Sequence, residues 1–245
     1  MNQNWAKGKI IFSDIDGTFL GPNSVIIEKN YDAVQTFVQA GGLFTFSSGR
    51  LSLNRVVPGF ERLVNAPQIL NNGALIQNTD GEILLEAFLD SAAAKDIILL
   101  LCGAFPSDKF GYECHMNQAG DQYYKVCFFA EPALIAEMYR LVYDRYQDKV
   151  AYFYSCPTII EFMKPGASKG QAVRFVKQYY AKRGLNLKTY AIGDYQNDLA
   201  MLQAADVACC PDNASLEVKR VCDQILCHHS QGAVAALIEK IQGGL

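Results

Sequence analysis

The sequence predicts an α/β protein: a parallel sheet wrapped by helices, with a second, α+β module inserted into it. Three observations carry this. Apolar strand candidates alternate with amphipathic stretches through residues 1–81, and the same texture returns over 165–245. Between them, 82–164 holds aromatic, closely spaced strand candidates instead. No internal repeat, low-complexity tract or long charge run separates these parts, so the outer thirds read as one discontinuous domain around an inserted module.

The elements follow in order. "KIIFSD" is a first strand, and a helix is expected from about Glu28, with Tyr31, Val34, Phe37 and Val38 on one face and Gly41-Gly42 stopping it. Between them "LGPNSV" reads as a hairpin flap turning at Gly21-Pro22-Asn23. A strand at "LFTFSS", a short helix from about Leu51 and a strand at "QILNN" would complete β-α-β-α-β. In the insert, "YYKVCFF", "VAYFYSC" and "TIIEFM" suggest an antiparallel sheet, with helices at Ser91 to Cys102 and Pro132 to Tyr146 on one face. Beyond "KPGASKG" come a helix with Ala172, Val176, Tyr179 and Tyr180 in register, a strand "TYAIGD", a helix "NDLAMLQAA" and a strand near "DVACC".

Composition narrows the function. Half of the 245 residues are hydrophobic, enough for a substantial core. A net charge of −3 offers no basic field for a nucleic-acid backbone, so an anionic ligand has to be held locally, by a few cations or a metal. The first residues, "MNQNWAKGKIIF", lack the long apolar core of a signal peptide, and no stretch approaches the ~20 apolar residues of a membrane span. A cytoplasmic protein with no membrane or nucleic-acid partner is the expectation. The eight cysteines include no Cys-x-x-Cys, and Cys209 and Cys210 adjoin in an apolar run, so reduced thiols are expected rather than disulfides or a metal site.

The chemistry gathers at strand ends. Asp14 and Asp16 share a face of an extended segment, and two acids so close need either a divalent cation or a division into nucleophile and acid. Ser47 and Ser48 follow a strand and precede an expected helix start, where a hydroxyl and free N–H groups can receive phosphate oxygens. Ser168 and Gln171 form a capping-box pattern that puts Lys169 in a first helical turn. Asp194 ends a strand, and Asn197 and Asp198 open a helix, adding oxygens suited to a hard metal ion.

In that order the sequence resembles the haloacid dehalogenase superfamily of aspartate-dependent phosphohydrolases. Its four signatures are matched by Asp14-Ile15-Asp16-Gly17-Thr18, by Ser48, by Lys169, and by Gly193-Asp194 with Asn197-Asp198. "SSGR", "NNGA", "SKG" and "GDYQNDLAML" further resemble the Cof-type sugar-phosphatase subgroup, whereas "VACCPDNA" departs from its usual Met-Gly before the Asn-Ala at 213–214. The resemblance implies a Rossmann-like catalytic core, 1–81 and 165–245, with a cap inserted at 82–164 that closes over the phosphate crevice. It implies a Mg²⁺-dependent phosphatase acting on small phosphorylated metabolites, with sugar phosphates favoured. Asp14 would be nucleophile and Asp16 acid and base. Ser48, Gly49, Lys169 and Asn197 would hold phosphate. Asp14, Asp194 and the carbonyl of Asp16 would hold the metal, with Asp198, Gly17 and Thr18 supporting. A phosphomutase on the same scaffold and a non-catalytic phosphosugar sensor are the alternatives. In the insert, His115, Tyr123, Lys125 and Glu161 are polar candidates; His115 is expected in a surface loop and Tyr123 in sheet packing. Arg50 could approach the site or sit on the surface.

Overall fold

The computed structural model describes residues 4–53, 59 and 62–245. The chain divides into two compact units, Met1–Leu84 with Ser168–Leu245, and Leu85–Ala167.

In the first unit, β1 (Lys9–Ser13) is buried from Ile10 onward, which is why it reads as an unbroken apolar run. The hairpin expected after it is absent. The carbonyl of Ile15 collects the N–H groups of Thr18, Phe19 and Leu20, curling this segment into turns, and Gly21 N–H closes onto the Val25 carbonyl at 2.8 Å around a 3-10 turn, Pro22–Ser24. With the chain coiled on itself, no strands flank Gly21-Pro22-Asn23.

The helix α1 (Glu28–Gln39) buries Val34 and Phe37, with Tyr31 and Val38 half-buried. Its buried Asn30 donates to the Phe19 carbonyl at 2.7 Å and accepts from Ala235 N–H at 2.9 Å, so its amide ties three segments together. The next strand, β2 (Leu43–Phe46), follows as expected. The helix expected from Leu51 is not present at Leu51–Leu53; the rest of that stretch, 54–58 and 60–61, lies outside the described residues.

The third apolar run also behaves differently. The strand β3 (Gln68–Leu70) pairs antiparallel with β4 (Leu75–Gln77), keeping one parallel bridge, Ile69 to Ser47. The reason is local: Asn71, Asn72 and Gly73 take φ of 48°, 52° and 93°, and three left-handed residues in a row reverse the chain. The strand β5 (Ile83–Glu86) completes this small sheet.

The second unit contains α2 (Ser91–Ala104), β6 (Phe110–Met116), β7 (Tyr123–Ala130), α3 (Pro132–Tyr146), β8 (Ala151–Cys156) and β9 (Ile159–Met163). Its four strands are antiparallel in the order β6-β7-β9-β8. Alternation decides the faces: Val126, Phe128, Ile160 and Phe162 meet Ile97 and Leu101 of α2 and Met138 and Val142 of α3 in one core. The other register carries Lys125 and Glu161, a buried ion pair at 2.9 Å, with Ser155 Oγ donating to Glu161 at 2.9 Å.

The strand β6 was not foreseen, although Phe110, Tyr112, Cys114 and Met116 alternate with Gly111, Glu113 and His115; it is an edge strand, exposed at Gly111, Tyr112 and Glu113. His115 is therefore in a strand rather than a surface loop, opposite Lys125, with a side chain 15% exposed. Burial, and then the Lys125 charge, lower its pKa to about 3, although exposed Glu113 lies 3.7 Å away.

The chain returns through α4 (Lys169–Ala181), β10 (Lys188–Ile192), α5 (Leu199–Ala204), β11 (Val207–Cys210), α6 (Leu216–Lys219), β12 (Gln224–Ile225) and α7 (Ala233–Gln242). Among the described residues this sheet has five parallel strands, in the order β12-β11-β10-β1-β2. Ser13 is level with Ile192 on one side and Phe46 on the other. The chain thus leaves the sheet at three adjacent points: Asp14, Gly193-Asp194 and Ser47-Ser48. Open parallel sheets bind ligands at this carboxyl edge. The arrangement is the expected parallel-sheet α/β fold with an α+β insert. All eight cysteines are free. Among the described residues no helix is long and apolar enough to cross a membrane.

Candidate active site

Asp14 is the first residue past β1, anchored by its N–H to the Ile192 carbonyl at 2.9 Å, with only 7% of its surface exposed. Ser168 caps α4, its Oγ accepting from Gln171 N–H at 3.1 Å, and the first turn delivers Lys169 into the interior, fully buried. Lys169 Nζ lies 2.6 Å from Asp14 Oδ1 and 2.6 Å from Asp198 Oδ1. The other oxygen of Asp198 accepts from the N–H groups of Asp194 and Tyr195 at 3.0 and 3.3 Å, so Asp198 fixes both the lysine and the loop after β10. Thr18 Oγ1 donates to Asp194 Oδ1 at 3.1 Å. Gly17 lies against the same carboxylate: a Cβ there would be 2.4 Å from Asp194 Oδ2, and its φ is +79°, so glycine is required on two counts.

The electrostatics are those of crowded acids. Burial raises the Asp14 pKa well above the ordinary carboxylate value; Lys169 pulls it down, and Asp198, Asp194 and Asp16 push it up again. Asp194 is raised to about 7, first by burial and then by Asp198. Burial alone would lower the Lys169 ammonium, but the two carboxylates outweigh it and hold it above its ordinary value. Carboxylate oxygens of Asp14, Asp194 and Asp198 come within 4.8 Å of one another. When all are ionised, three carboxylates against one ammonium leave an excess of two negative charges. That excess and the all-oxygen donor set fit a hard divalent cation. Since both Asp198 oxygens are already engaged, Asp14 and Asp194 are the side chains fitted to hold it.

A family model of haloacid dehalogenase-like hydrolases matches this chain over residues 11–105 and 103–238. The chain belongs to that family. A 5-amino-6-(5-phospho-D-ribitylamino)uracil phosphatase of Bacillus subtilis is 24% identical to this haloacid dehalogenase-like hydrolase, over 96% of this chain and 99% of the relative. Among solved structures, a haloacid dehalogenase-like hydrolase from Bacteroides thetaiotaomicron superposes with a TM-score of 0.80 at 20% identity, covering 96% of this chain and 100% of its own. A structure described as a sugar phosphatase of HAD subclass IIB gives a TM-score of 0.77 at 16% identity, covering 95% and 98%. The chain is a phosphatase of this family, of the Cof type.

Within the haloacid dehalogenase-like core, the signatures converge on the sheet edge with further connections. Ser48 is buried; its Oγ accepts from Arg50 N–H at 3.2 Å, its N–H donates to the Ile69 carbonyl at 2.9 Å, and half-buried Gly49 follows it in the turn. Asn197 Nδ2 donates to Asn72 Oδ1 at 3.3 Å, and Asn72 N–H donates to the Ser48 carbonyl at 2.9 Å. Asn72 thus links the second and fourth signatures; its "NNGA" stretch stood out in the sequence only by resemblance, with no role for Asn72. Asn213, in the departing "VACCPDNA" loop, donates from Nδ2 to the Gly17 carbonyl at 2.8 Å and accepts His229 N–H at 3.0 Å. Asp16 stands apart from the acidic cluster: its side chain is 54% exposed and pairs with Arg50. Lys125, Glu161, His115 and Tyr123 lie in the other unit, where the first three form the polar face of its sheet.

Proposed function

We propose that this enzyme is a Mg²⁺-dependent phosphatase that hydrolyses small phosphorylated metabolites, sugar phosphates foremost, through an aspartyl-phosphate on Asp14. The observation that carries this reading is the buried Asp14–Lys169–Asp198 bridge with two 2.6 Å contacts at the end of a rigid strand. A nucleophile so held is aimed by the fold, and aiming supplies much of the barrier reduction. The B. subtilis relative is named for a phosphorylated ribityl compound and one structural neighbour for sugar phosphates, which favours a sugar-like leaving group. The division into a catalytic core, 1–81 and 165–245, and an inserted cap, 82–164, belongs to the same proposal, as does a cytoplasmic setting.

In the first half-reaction an Asp14 oxygen bonds to phosphorus while the ester P–O bond breaks, and Asp16 gives its proton to the departing alkoxide. In the second, Asp16 takes a proton from water as that water's oxygen bonds to phosphorus and the Asp14 P–O bond breaks, releasing phosphate. Lys169, Ser48, Gly49 and Asn197 balance the phosphoryl charge. Asp14, Asp194 and the Asp16 carbonyl would hold Mg²⁺, which supplies charge neutralisation at the transferred group. Asp198 keeps Lys169 in place, and Gly17 and Thr18 keep Asp194 in place.

The test is phosphate release over a panel of sugar phosphates, nucleotides and cofactor phosphates with Mg²⁺. Activity should concentrate on sugar phosphates, vanish on chelation and return with Mg²⁺. Full activity in Asp14→Asn, or indifference to chelation, would sink the mechanism.

A further inference from the structure

The geometry points to Arg50 as the positioning residue of the acid and base, Asp16. Arg50 Nε lies 3.0 Å from Asp16 Oδ2 and its Nη2 2.8 Å from Asp16 Oδ1, a two-point grip that fixes the plane of the carboxylate. Arg50 is itself pinned at the main chain, its N–H donating to Ser48 Oγ at 3.2 Å and its carbonyl accepting Asn71 N–H at 3.0 Å. Orientation therefore passes from the turn that carries Ser48, through a planar guanidinium, to Asp16. The partners are 36% and 54% exposed, so the pair adds only about 0–1 kcal/mol to stability. Its effect is on direction.

A carboxylate has about four lone-pair sites, and the fork uses one on each oxygen. The second site on either oxygen remains for the proton that Asp16 passes to the leaving oxygen as the Asp14–phosphorus bond forms and the ester bond breaks. A carboxyl free to rotate presents that site less often. Lysine keeps the charge but cannot supply two parallel N–H groups.

This inference rests on the proposal that Asp16 is the general acid, and the test separates the two. Substituted phenyl phosphates of graded leaving-group acidity keep substrate size constant, and kcat/KM reports the step in which the leaving group departs. Loss of the acid steepens the dependence of kcat/KM on leaving-group acidity, because only poor leaving groups need a proton. In Arg50→Gln we expect kcat/KM for phenyl phosphate to fall about tenfold or more and for 4-nitrophenyl phosphate less than about threefold, a fraction of the 10²–10⁴ available to general acid catalysis. Arg50→Lys should give an intermediate slope, and Asp16→Asn the steepest. If Asp16→Asn is steep while both Arg50 variants run parallel to the wild type, Arg50 does not position Asp16 and the acid assignment stands. A rise in KM with unchanged slope likewise overturns the inference, placing Arg50 on the substrate. If Asp16→Asn itself shows no change of slope, the acid assignment fails and this inference with it.

Discussion

Replacing Lys169 by Met keeps most of the side-chain volume and removes the one ammonium between two buried acids. Asp14 and Asp198 are 7% and 0% exposed, and each loses a 2.6 Å charge-assisted contact. Breaking a buried pair from one side costs about 3–5 kcal/mol, because the remaining charge is neither solvated nor paired. In a chain of this size each kcal/mol lowers Tm by about 2–4 °C, so the unfolding transition of the Met1–Leu84 and Ser168–Leu245 unit should fall by about 6–20 °C. Differential scanning calorimetry at neutral pH measures it. The double variant Lys169→Met/Asp198→Asn removes one of the stranded charges and should recover part of the loss. A change under about 2 °C in the single variant would refute the reasoning, since the lysine would then not be compensating the carboxylates. Phosphate release should fall about a hundredfold or more in the same protein.

Three further outcomes follow from the structure. Gly17→Ala forces a Cβ to 2.4 Å from Asp194 Oδ2 at a positive φ; it should cost about 1–2 kcal/mol in urea unfolding and raise the Mg²⁺ concentration for half-maximal activity about tenfold, and unchanged Mg²⁺ dependence would count against Asp194 as a ligand. Asn30→Leu strands the Phe19 carbonyl and Ala235 N–H in the core and should lower stability by about 2 kcal/mol or more, whereas a neutral result would mean those groups find other partners. His115 is neutral in the fold with a pKa near 3 against 6.5 unfolded, so the unfolded chain binds the extra proton and stability declines as pH falls below 6.5 toward 3. From this group the loss is about 2 kcal/mol by pH 5, and His115→Gln should remove it; equal pH slopes in the two proteins would contradict the burial argument.

Much of the site was legible because buried parallel strands are continuous apolar runs, and the residue types that break them are the ones delivered at the sheet edge. Asp14, Ser48 and Asp194 were placed by that logic, and Lys169 by its cap. What escaped depends on partners distant in sequence. Asn72 and Asn197 are 125 positions apart, and Arg50 and Asp16 are 34 apart, so no local pattern announces either contact. The complete burial of Lys169 escaped as well, because a lysine in a first helical turn ordinarily points to water. Backbone conformation was the other blind spot. The left-handed run at Asn71–Gly73 turned an expected parallel strand into one arm of an antiparallel pair, and turns around the Ile15 carbonyl replaced an expected hairpin. The edge strand holding His115 does alternate Phe110, Tyr112, Cys114 and Met116 with Gly111, Glu113 and His115, but it is exposed at Gly111, Tyr112 and Glu113, and it escaped all the same.

The central claim is covalent capture of phosphate by Asp14, and its most direct test is chemical trapping. An acyl phosphate is reduced by borohydride to the alcohol, which converts aspartate to homoserine. Enzyme quenched during turnover of a sugar phosphate with Mg²⁺, reduced and digested should show homoserine at position 14 by mass spectrometry, and only when substrate is present. Homoserine at Asp194 or Asp198, or none at any aspartate while phosphate is being released, would contradict the account.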